Sequence, residues 1–242
     1  MGQLSALIQG IWSVSVSVPD FRSEPITKCL YSDAGSGLLF HLAGEVKIGD
    51  KWLPQGIVIL PISKISEKVT LSPGAQLAGL RFLPAIGYGL VEQHFTRPTL
   101  LTADIGHLHE LDVLYATLQL ETGNQGRIEM LHKWASKSFQ LSNIIPNSLK
   151  QALECIDHDA TLQGVDELVA LSQRQIERLF KHWMNISPKQ YQRILRVQRT
   201  VNYLRQNKGV SLVEVSQQFG FSDQAHMTRE FRAIACITPG KV

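Results

Sequence analysis

Residues 211–235 constrain the fold most, because their spacing predicts two short helices joined by a tight turn. Ser211 and Glu214 have the spacing of a capping box, in which the serine accepts from one free amide and the glutamate accepts from another. Gly220 stands where a left-handed residue ends a helix at little cost, and Ser222 is a suitable cap for the second helix. Each helix has one apolar stripe at helical spacing: Leu212, Val215 and Phe219 in the first, then Met227, Phe231 and Ile234 in the second.

The other side of the second helix is polar and carries Gln224, His226, Thr228, Arg229 and Arg232. A short, well-capped helix that shows amide, hydroxyl and guanidinium groups outward suits insertion into the DNA major groove, especially when another helix braces it across a glycine turn. The segment therefore predicts a helix-turn-helix.

The chain has 242 residues, enough for two domains with separate cores. No apolar run approaches the roughly 20 residues that span a bilayer, and the N-terminus lacks the order of a secretory signal, so we expect a cytoplasmic protein with no membrane partner. Cys29, Cys155 and Cys236 are scattered and form no CxxC, which indicates neither a disulfide framework nor a zinc site.

Charge divides unevenly along the chain. Residues 148–242 hold 13 Lys/Arg against 9 Asp/Glu, a net charge of +4, whereas residues 1–147 hold 11 against 12, a net charge of −1. A positive part joined to a nearly neutral part is typical of a DNA-binding domain with a sensing or assembly domain.

The first hundred residues are predicted to be β-rich. In residues 11–18, apolar and small polar side chains alternate as on a half-buried strand. Further short apolar runs, separated by turn signals, lie at 38–42, 46–48, 57–60, 69–71 and 77–82. This pattern predicts an α+β chain whose residues 1–103 form a β-barrel or sandwich, cupin-like in layout. Its mouth could hold a small-molecule effector.

We predict that this barrel is not an enzyme. A metal-dependent barrel oxygenase needs a cluster such as HxH plus a carboxylate, whereas His41 and Glu45 stand alone and His94 lies far downstream. A surface or hydrogen-bonded role for the histidines is favoured over metal ligation. No phosphate loop, nucleophile elbow or HExxH occurs, so no catalytic residue, metal or cofactor is expected.

Residues 104–145 change to helical periodicity. The first predicted helix begins at Asp104 as its cap, and the sequence ETGNQG at 121–126 ends it. A second helix is predicted over 127–141. This pair could cover the barrel or join a second subunit as a homodimer, and the spacing leaves both alternatives open. Residues 143–147 are the predicted hinge.

The helix-turn-helix pattern occurs twice, at 162–183 and at 211–235. In the first copy, Ser172 and Gln175 have capping-box spacing. The helix between the copies, 188–207, is about 30 Å long at ~1.5 Å per residue, close to the ~34–36 Å between successive major-groove faces. One monomer could therefore read two adjacent turns of the groove. Arg193, Arg196 and Arg199 on this helix could meet phosphates, although Arg196 could instead be a structural brace.

At residues 148–242 the sequence resembles the AraC/XylS family of bacterial transcription regulators. The matching residues are Ser172-x-x-x-Ile176-x-Arg178-x-Phe180-Lys181, Ser187-Pro188-x-x-Tyr191, Arg196-Val197-x-x-Thr200-x-x-x-Leu204, Gly220-Phe221-Ser222-Asp223, Met227-x-Arg229-x-Phe231-Arg232 and Thr238-Pro239. The front half resembles, through its layout and GLRFLP at 79–84, the barrel-type sensing domains of such regulators. Asn185 and Cys236 replace glycines that usually end the two reading helices, and Asp166 and Ser216 replace small apolar residues.

The resemblance implies reading helices at 173–183 and 223–235. The base-contact candidates are Arg174, Glu177, Arg178, Gln224, His226, Thr228 and Arg229. The phosphate-contact candidates are Gln175, Lys181, Arg193, Arg196, Arg199 and Arg232. Ile176, Phe180, Met227 and Phe231 are predicted core residues.

These observations predict a sequence-specific DNA-binding transcription regulator, modulated by an effector or by dimerisation through residues 1–145 and, if it is an activator, contacting RNA polymerase. Residues 1–103 would be the sensing domain, 104–145 the linker or dimerisation pair, and 146–242 the DNA-binding domain. Two alternatives remain: a degraded regulator that acts through protein contacts, and an enzyme fused to a DNA-binding module. The second would need an activated cysteine, and Cys29 has no neighbouring histidine or cationic cluster in the sequence.

Overall fold

The computed structural model describes residues 4–17, 24–139, 144–157 and 169–242. These residues belong to two compact units. The first lies within 1–29, 35–62 and 68–145. The second lies within Pro146–Val242, but it also includes two short segments from the first half of the sequence, Leu30–Ala34 and Ser63–Glu67. Nothing in the sequence predicted that these two segments belong to the second unit.

Nine strands make up two antiparallel sheets in the described part of the first unit. They are β1 Ile8–Ser15, β2 Ile26–Leu30, β3 Gly37–Ala43, β4 Val46–Ile48, β5 Lys51–Trp52, β6 Gly56–Leu60, β7 Glu67–Leu71, β8 Gln76–Phe82 and β9 Thr99–Leu101. One sheet has the order β1-β8-β3-β6-β9 and the other β2-β7-β4-β5. Of the two predicted layouts, barrel and sandwich, the sandwich is the one found, because neither sheet closes on itself.

Strand β3 lies at the centre of the first unit and is buried on both faces. Leu39 packs with Val46 and Leu71 from the other sheet. Its neighbours Leu38 and Phe40 point the opposite way, into a second core cluster that also contains residues of the following helices. Because side chains alternate along a strand, one sheet separates two apolar layers.

Three helices accompany the sheets: α1 Ile86–Val91, α2 Leu111–Leu120 and α3 Asn124–Ser138. The prediction that α2 begins at Asp104 is wrong, although the Asp104 carboxylate does accept from the amides of Glu110 and Leu111 at 3.0 and 3.1 Å. Gly106 has φ +55°, so the chain cannot be helical there. Helix α3 was also misplaced, because it begins at Asn124 and ends at Ser138, three residues before the predicted start and end.

Helices α2 and α3 cover the five-stranded sheet. Leu111, Leu114 and Leu118 are buried on α2, and Leu131 and Trp134 are buried on α3. Their inner faces therefore pack within the chain, in agreement with the alternative that the helix pair covers the sheet. Pairing with a second subunit remains a prediction that concerns the outer faces.

The Pro146–Val242 part of the second unit is helical where the structure describes it. Its helices are α4 Asn147–Asp157, α5 Gln173–Met184, α6 Pro188–Gln206, α7 Leu212–Gln218 and α8 Gln224–Glu230, and a π-helical turn, Phe231–Ala235, continues α8. The predicted core residues Ile176, Phe180, Met227 and Phe231 are all buried. The helix predicted over 162–170 lies mostly outside the described residues, as does Asp166. Of the predicted hinge, residues 144–146 are non-helical, and α4 begins at Asn147.

Candidate nucleic-acid interface

Both ends of helix α5 are held by local hydrogen bonds. Ser172 Oγ accepts from the amide of Gln175 at 3.4 Å, and the Gln175 side chain accepts from the amide of Ser172 at 2.8 Å, which confirms the predicted capping box. At the other end Asn185 adopts φ +55°, the left-handed conformation that the usual glycine would provide. Lys181 Nζ donates to Asn185 Oδ1 at 2.6 Å. Local sequence therefore determines where this helix begins and ends.

The outward face of α5 carries the residues that the sequence predicted to contact bases. Arg174, Glu177 and Arg178 are exposed. Glu177 accepts from the Gln173 side chain at the limiting distance of 3.5 Å. Within the described part of the chain, neither Arg174 nor Arg178 has a hydrogen bond or ion pair through its guanidinium. Both groups therefore keep their donors for an external acceptor.

A groove with a volume of about 660 Å³ runs beside α5 and the start of α6. The charged side chains that line it are Lys64, Arg174, Glu177, Arg178 and Lys181. Four cations face one carboxylate, so the groove favours an anion. Lys64 comes from the Ser63–Glu67 segment, 110 positions before Arg174, and no local signal in the sequence identifies it.

Helix α8 is capped by Asp223, one residue later than predicted. Asp223 Oδ1 accepts from the amide of His226 at 2.6 Å, and this bond is the main reason that the pKa of Asp223 lies below its usual value. The adjacent Ser222 binds the histidine instead of capping the helix. Its amide donates to His226 Nδ1 at 3.2 Å.

This contact determines how His226 can bind an external group. Because Nδ1 accepts from the Ser222 amide, the neutral ring carries its proton on Nε2. The ring packs edge-on against Phe221, with centroids 5.7 Å apart. His226 therefore presents an N–H donor, which suits the acceptor atoms of purines and of thymine in the major groove.

The remaining candidates on α8 differ in availability. Gln224, Arg229 and Arg232 are exposed, and no side-chain hydrogen bond or ion pair joins them to another residue that the structure describes. Thr228 Oγ1 donates to the carbonyl of Gln224 at 2.9 Å, so its hydroxyl keeps only acceptor capacity.

Helix α7, which supports α8, is capped as predicted by Ser211, whose Oγ accepts from the amide of Glu214 at 3.5 Å. No bond from the Glu214 carboxylate back to Ser211 accompanies it in the described structure.

Arg193 on α6 forms a bidentate ion pair with Glu230 of α8. Its Nε and one terminal nitrogen donate to the two carboxylate oxygens at 2.8 and 2.9 Å. This bonding raises the pKa of Arg193 and lowers the pKa of Glu230. The pair links the connecting helix to the second reading helix. Glu230 was missed from the sequence because 37 positions separate the two residues.

The other two arginines of α6 also have partners within the chain. The Arg196 guanidinium lies over the Phe221 ring, 5.5 Å from its centroid, which favours the brace alternative for this residue. Arg199 donates to the main-chain carbonyl of Asp157, and its guanidinium lies 3.9 Å from that residue's carboxylate. A phosphate contact by any of the three arginines would therefore compete with a contact inside the protein.

The structure supports no metal site among the described residues, where no group of three or more potential ligands is found. His41 is 1 % exposed, and its ring nitrogens lie 3.0 Å from the carbonyl oxygens of Pro54 and Gly44. His41 thus has the hydrogen-bonded role that the sequence favoured over metal ligation. His94 stacks on Tyr88, with ring centroids 4.4 Å apart. No described helix is both long enough and apolar enough to cross a membrane.

Residues 167–242 match a family model described as a helix-turn-helix domain. The chain is 32% identical over 84 residues to the HTH-type transcriptional regulator ArgR of Pseudomonas aeruginosa, a match that covers 35% of this chain and 25% of ArgR. Residues 167–242 are thus a helix-turn-helix domain. This type of domain is the one that the ordered motifs between Ser172 and Pro239 predicted.

A second relative, the HTH-type transcriptional regulator GbdR of the same species, is 30% identical over 126 residues, 52% of this chain and 33% of GbdR. The chain thus spans between a quarter and a third of the length of these curated relatives.

The structure of ToxT from Vibrio cholerae superimposes with a TM-score of 0.51 at 10% identity, and the match covers 96% of both chains. This likeness shows a common fold. ArgR and GbdR are both named as transcriptional regulators.

Proposed function

We propose that this protein is a sequence-specific DNA-binding transcription regulator of the AraC/XylS type, and that one monomer reads two successive major grooves. The observation that carries the proposal is the outward face of α5, where Arg174 and Arg178 are exposed without partners in the described structure of a helix-turn-helix domain. Helix α6 has 19 residues, about 28 Å at ~1.5 Å per residue, and this length is close to one turn of the duplex.

The chemistry of each side chain assigns its role. Arg174, Arg178 and Arg229 can each donate two bonds to guanine, and Gln224 can pair with adenine. Glu177 can accept from the amino group of cytosine, and Thr228 can accept from either amino-bearing base. His226 would donate from Nε2.

Phosphate contacts are proposed for Gln175, Lys181 and Arg232, whose positions flank the two reading helices. Their contacts would position the domain and make its affinity fall with salt. For Arg193, Arg196 and Arg199 we propose bracing as the main role, because each already binds a group inside the unit.

The first unit is proposed to modulate DNA binding through a small-molecule effector or through dimerisation. ToxT, which shares the fold, has been crystallised with an unsaturated fatty acid, so an amphipathic carboxylate is the first effector class to test. For dimerisation, α2 carries an exposed stripe at positions i and i+7, where Val113 is 69% and Leu120 is 83% exposed. An activator would also contact RNA polymerase.

The deciding experiment selects bound sequences from a random DNA library and then measures Arg174→Ala and Gln224→Ala on the selected site. Each variant should lose about 1–3 kcal/mol on that site and should discriminate less against scrambled DNA. If either variant binds both DNAs as the wild-type protein does, that residue does not read bases. If wild-type binding lacks a steep salt dependence, the alternative of a regulator that acts only through protein contacts is favoured.

A further inference from the structure

We propose that Lys64, which lies more than 100 positions before the first reading helix, is part of the DNA-binding surface and binds a backbone phosphate beside α5. The inference rests on the proposed function and adds to it a residue that the helix-turn-helix domain itself does not contain. Lys64 belongs to the second compact unit and lines the groove beside α5.

The charge of the groove favours an anion opposite Lys64. The residue is exposed, and its ammonium group has no hydrogen bond or ion pair with any residue that the structure describes. The other cations of the groove are Arg174, Arg178 and Lys181, and only Glu177 opposes them. Because like charges repel, an anion among these cations relieves an unfavourable interaction as well as forming a new one.

A backbone phosphate of bound DNA would be the anion in this protein groove beside α5. The major groove is about 12 Å wide, so a helix inserted in it has a phosphate backbone along each side. With Arg174 and Arg178 on the base edges, a cation that flanks α5 meets one of these backbones. Lys64 occupies such a flanking position, and its single ammonium charge binds phosphate without requiring a particular base.

The segment that carries Lys64 is held in place on both sides of the residue. The amide of Ser66 donates to the carbonyl of Ile234 at 2.6 Å, and the Cys236 thiol donates to the carbonyl of Ser66 at 3.4 Å. Ile234 and Cys236 lie at the end of the second reading helix. Lys64 is thus positioned beside the first reading helix by contacts to the second.

Ser32 anchors the same segment from another direction. Its Oγ donates to the carbonyl of Ser63 at 2.6 Å, and its amide donates to Ser66 Oγ at 3.2 Å. Ser32 and Ser66 are both 4% exposed. The residues on either side of Lys64 are therefore fixed, and only its own side chain needs to move to reach a phosphate.

The test compares the salt dependence of DNA affinity for the wild-type protein, Lys64→Ala and Lys64→Arg on the selected site. Lys51→Ala is the matched control, since Lys51 is an exposed lysine on β5, outside the second unit. One phosphate contact contributes about 0.9 to the slope of log affinity against log salt. We expect the slope of Lys64→Ala to fall by about one, and the slopes of Lys64→Arg and Lys51→Ala to match the wild-type value.

Expressed as affinity, raising the salt from about 50 to about 200 mM should cost Lys64→Ala about 3.5-fold less than it costs the wild-type protein. Equal slopes for the two proteins would overturn the inference and leave the proposed function standing. Tighter binding by Lys64→Ala would also overturn it, because the lysine would then obstruct the DNA. A wild-type protein that binds no DNA would overturn the proposed function and this inference together.

Discussion

The ion pair between Arg193 and Glu230 offers the sharpest test of how the DNA-binding unit is held together. Glu230→Gln keeps the shape of the side chain but removes its charge and one of its two acceptors. The Glu230 side chain is 12% exposed and that of Arg193 is 41% exposed. The pair is therefore neither a fully solvated surface bridge nor a dry buried one.

The stability lost in Glu230→Gln should lie between the value for a fully exposed ion pair and the value for a buried one. An exposed ion pair contributes about 0.2–1 kcal/mol, whereas a hydrogen bond to a charged group contributes about 1.5–3 kcal/mol. With two short bonds at 2.8 and 2.9 Å and one nearly buried partner, we expect Glu230→Gln to lower the free energy of unfolding by about 1–2 kcal/mol. A chain of this size loses about 2–4 °C in melting temperature for each kcal/mol.

The pH dependence identifies the carboxylate as the source of this stability. The pKa of Glu230 is lower in the folded protein than its ordinary value, mainly because of the bond from Arg193. The stabilisation is therefore fully present above the ordinary pKa and is lost as the pH falls through the lower, folded value. Thermal unfolding of the wild-type protein and of Glu230→Gln should differ at neutral pH, and the difference should close as the pH falls through the lowered pKa of Glu230.

A double-mutant cycle with Arg193→Ala and Glu230→Ala isolates the pair itself. We expect a coupling energy of about 1–2 kcal/mol, since the residues are in direct contact. A coupling below about 0.3 kcal/mol, or a gap between wild type and Glu230→Gln that stays constant with pH, would refute the bracing role of Arg193. A DNA-binding slope that falls by about one in Arg193→Ala would support a phosphate contact instead.

Three further outcomes are expected. Cys236→Gly should raise the free energy of unfolding by about 0.5–1 kcal/mol in chemical denaturation, because position 236 has φ +57°, which glycine adopts without strain. A decrease would mean that the bond from the Cys236 thiol to Ser66 stabilises the protein more than the backbone strain costs. Gly106→Ala should destabilise the protein by more than about 2 kcal/mol, since φ is +55° and the added Cβ would lie 2.2 Å from the carbonyl oxygen of Leu90; a thermal melt like that of wild type would contradict this. If the protein dimerises through α2, Val113→Glu should convert the dimer to a monomer in a sedimentation experiment. The control variant Gln119→Glu, on the same helix, should remain a dimer. A wild-type protein that is itself a monomer would exclude dimerisation through α2.

Much of the fold could be predicted because the relevant interactions join residues within about four positions. The Ser172 capping box, the proline that follows Ser187 and the left-handed Gly220 mark helix ends through bonds that the sequence displays directly. Alternation in the strands and three-four spacing in the helices identified core residues such as Phe180 and Phe231 for the same reason.

Only the tertiary structure decided which distant groups meet. Asp104 caps α2 from seven positions away, and Glu230 binds Arg193 across two helices. The place of Lys64 depends on the bond between Ser66 and Ile234, 168 positions apart. Periodicity carries no information about such pairs, because their distance depends on how whole elements pack. The ends and faces of the reading helices thus follow from local sequence, whereas the partners of their charged side chains follow from the fold.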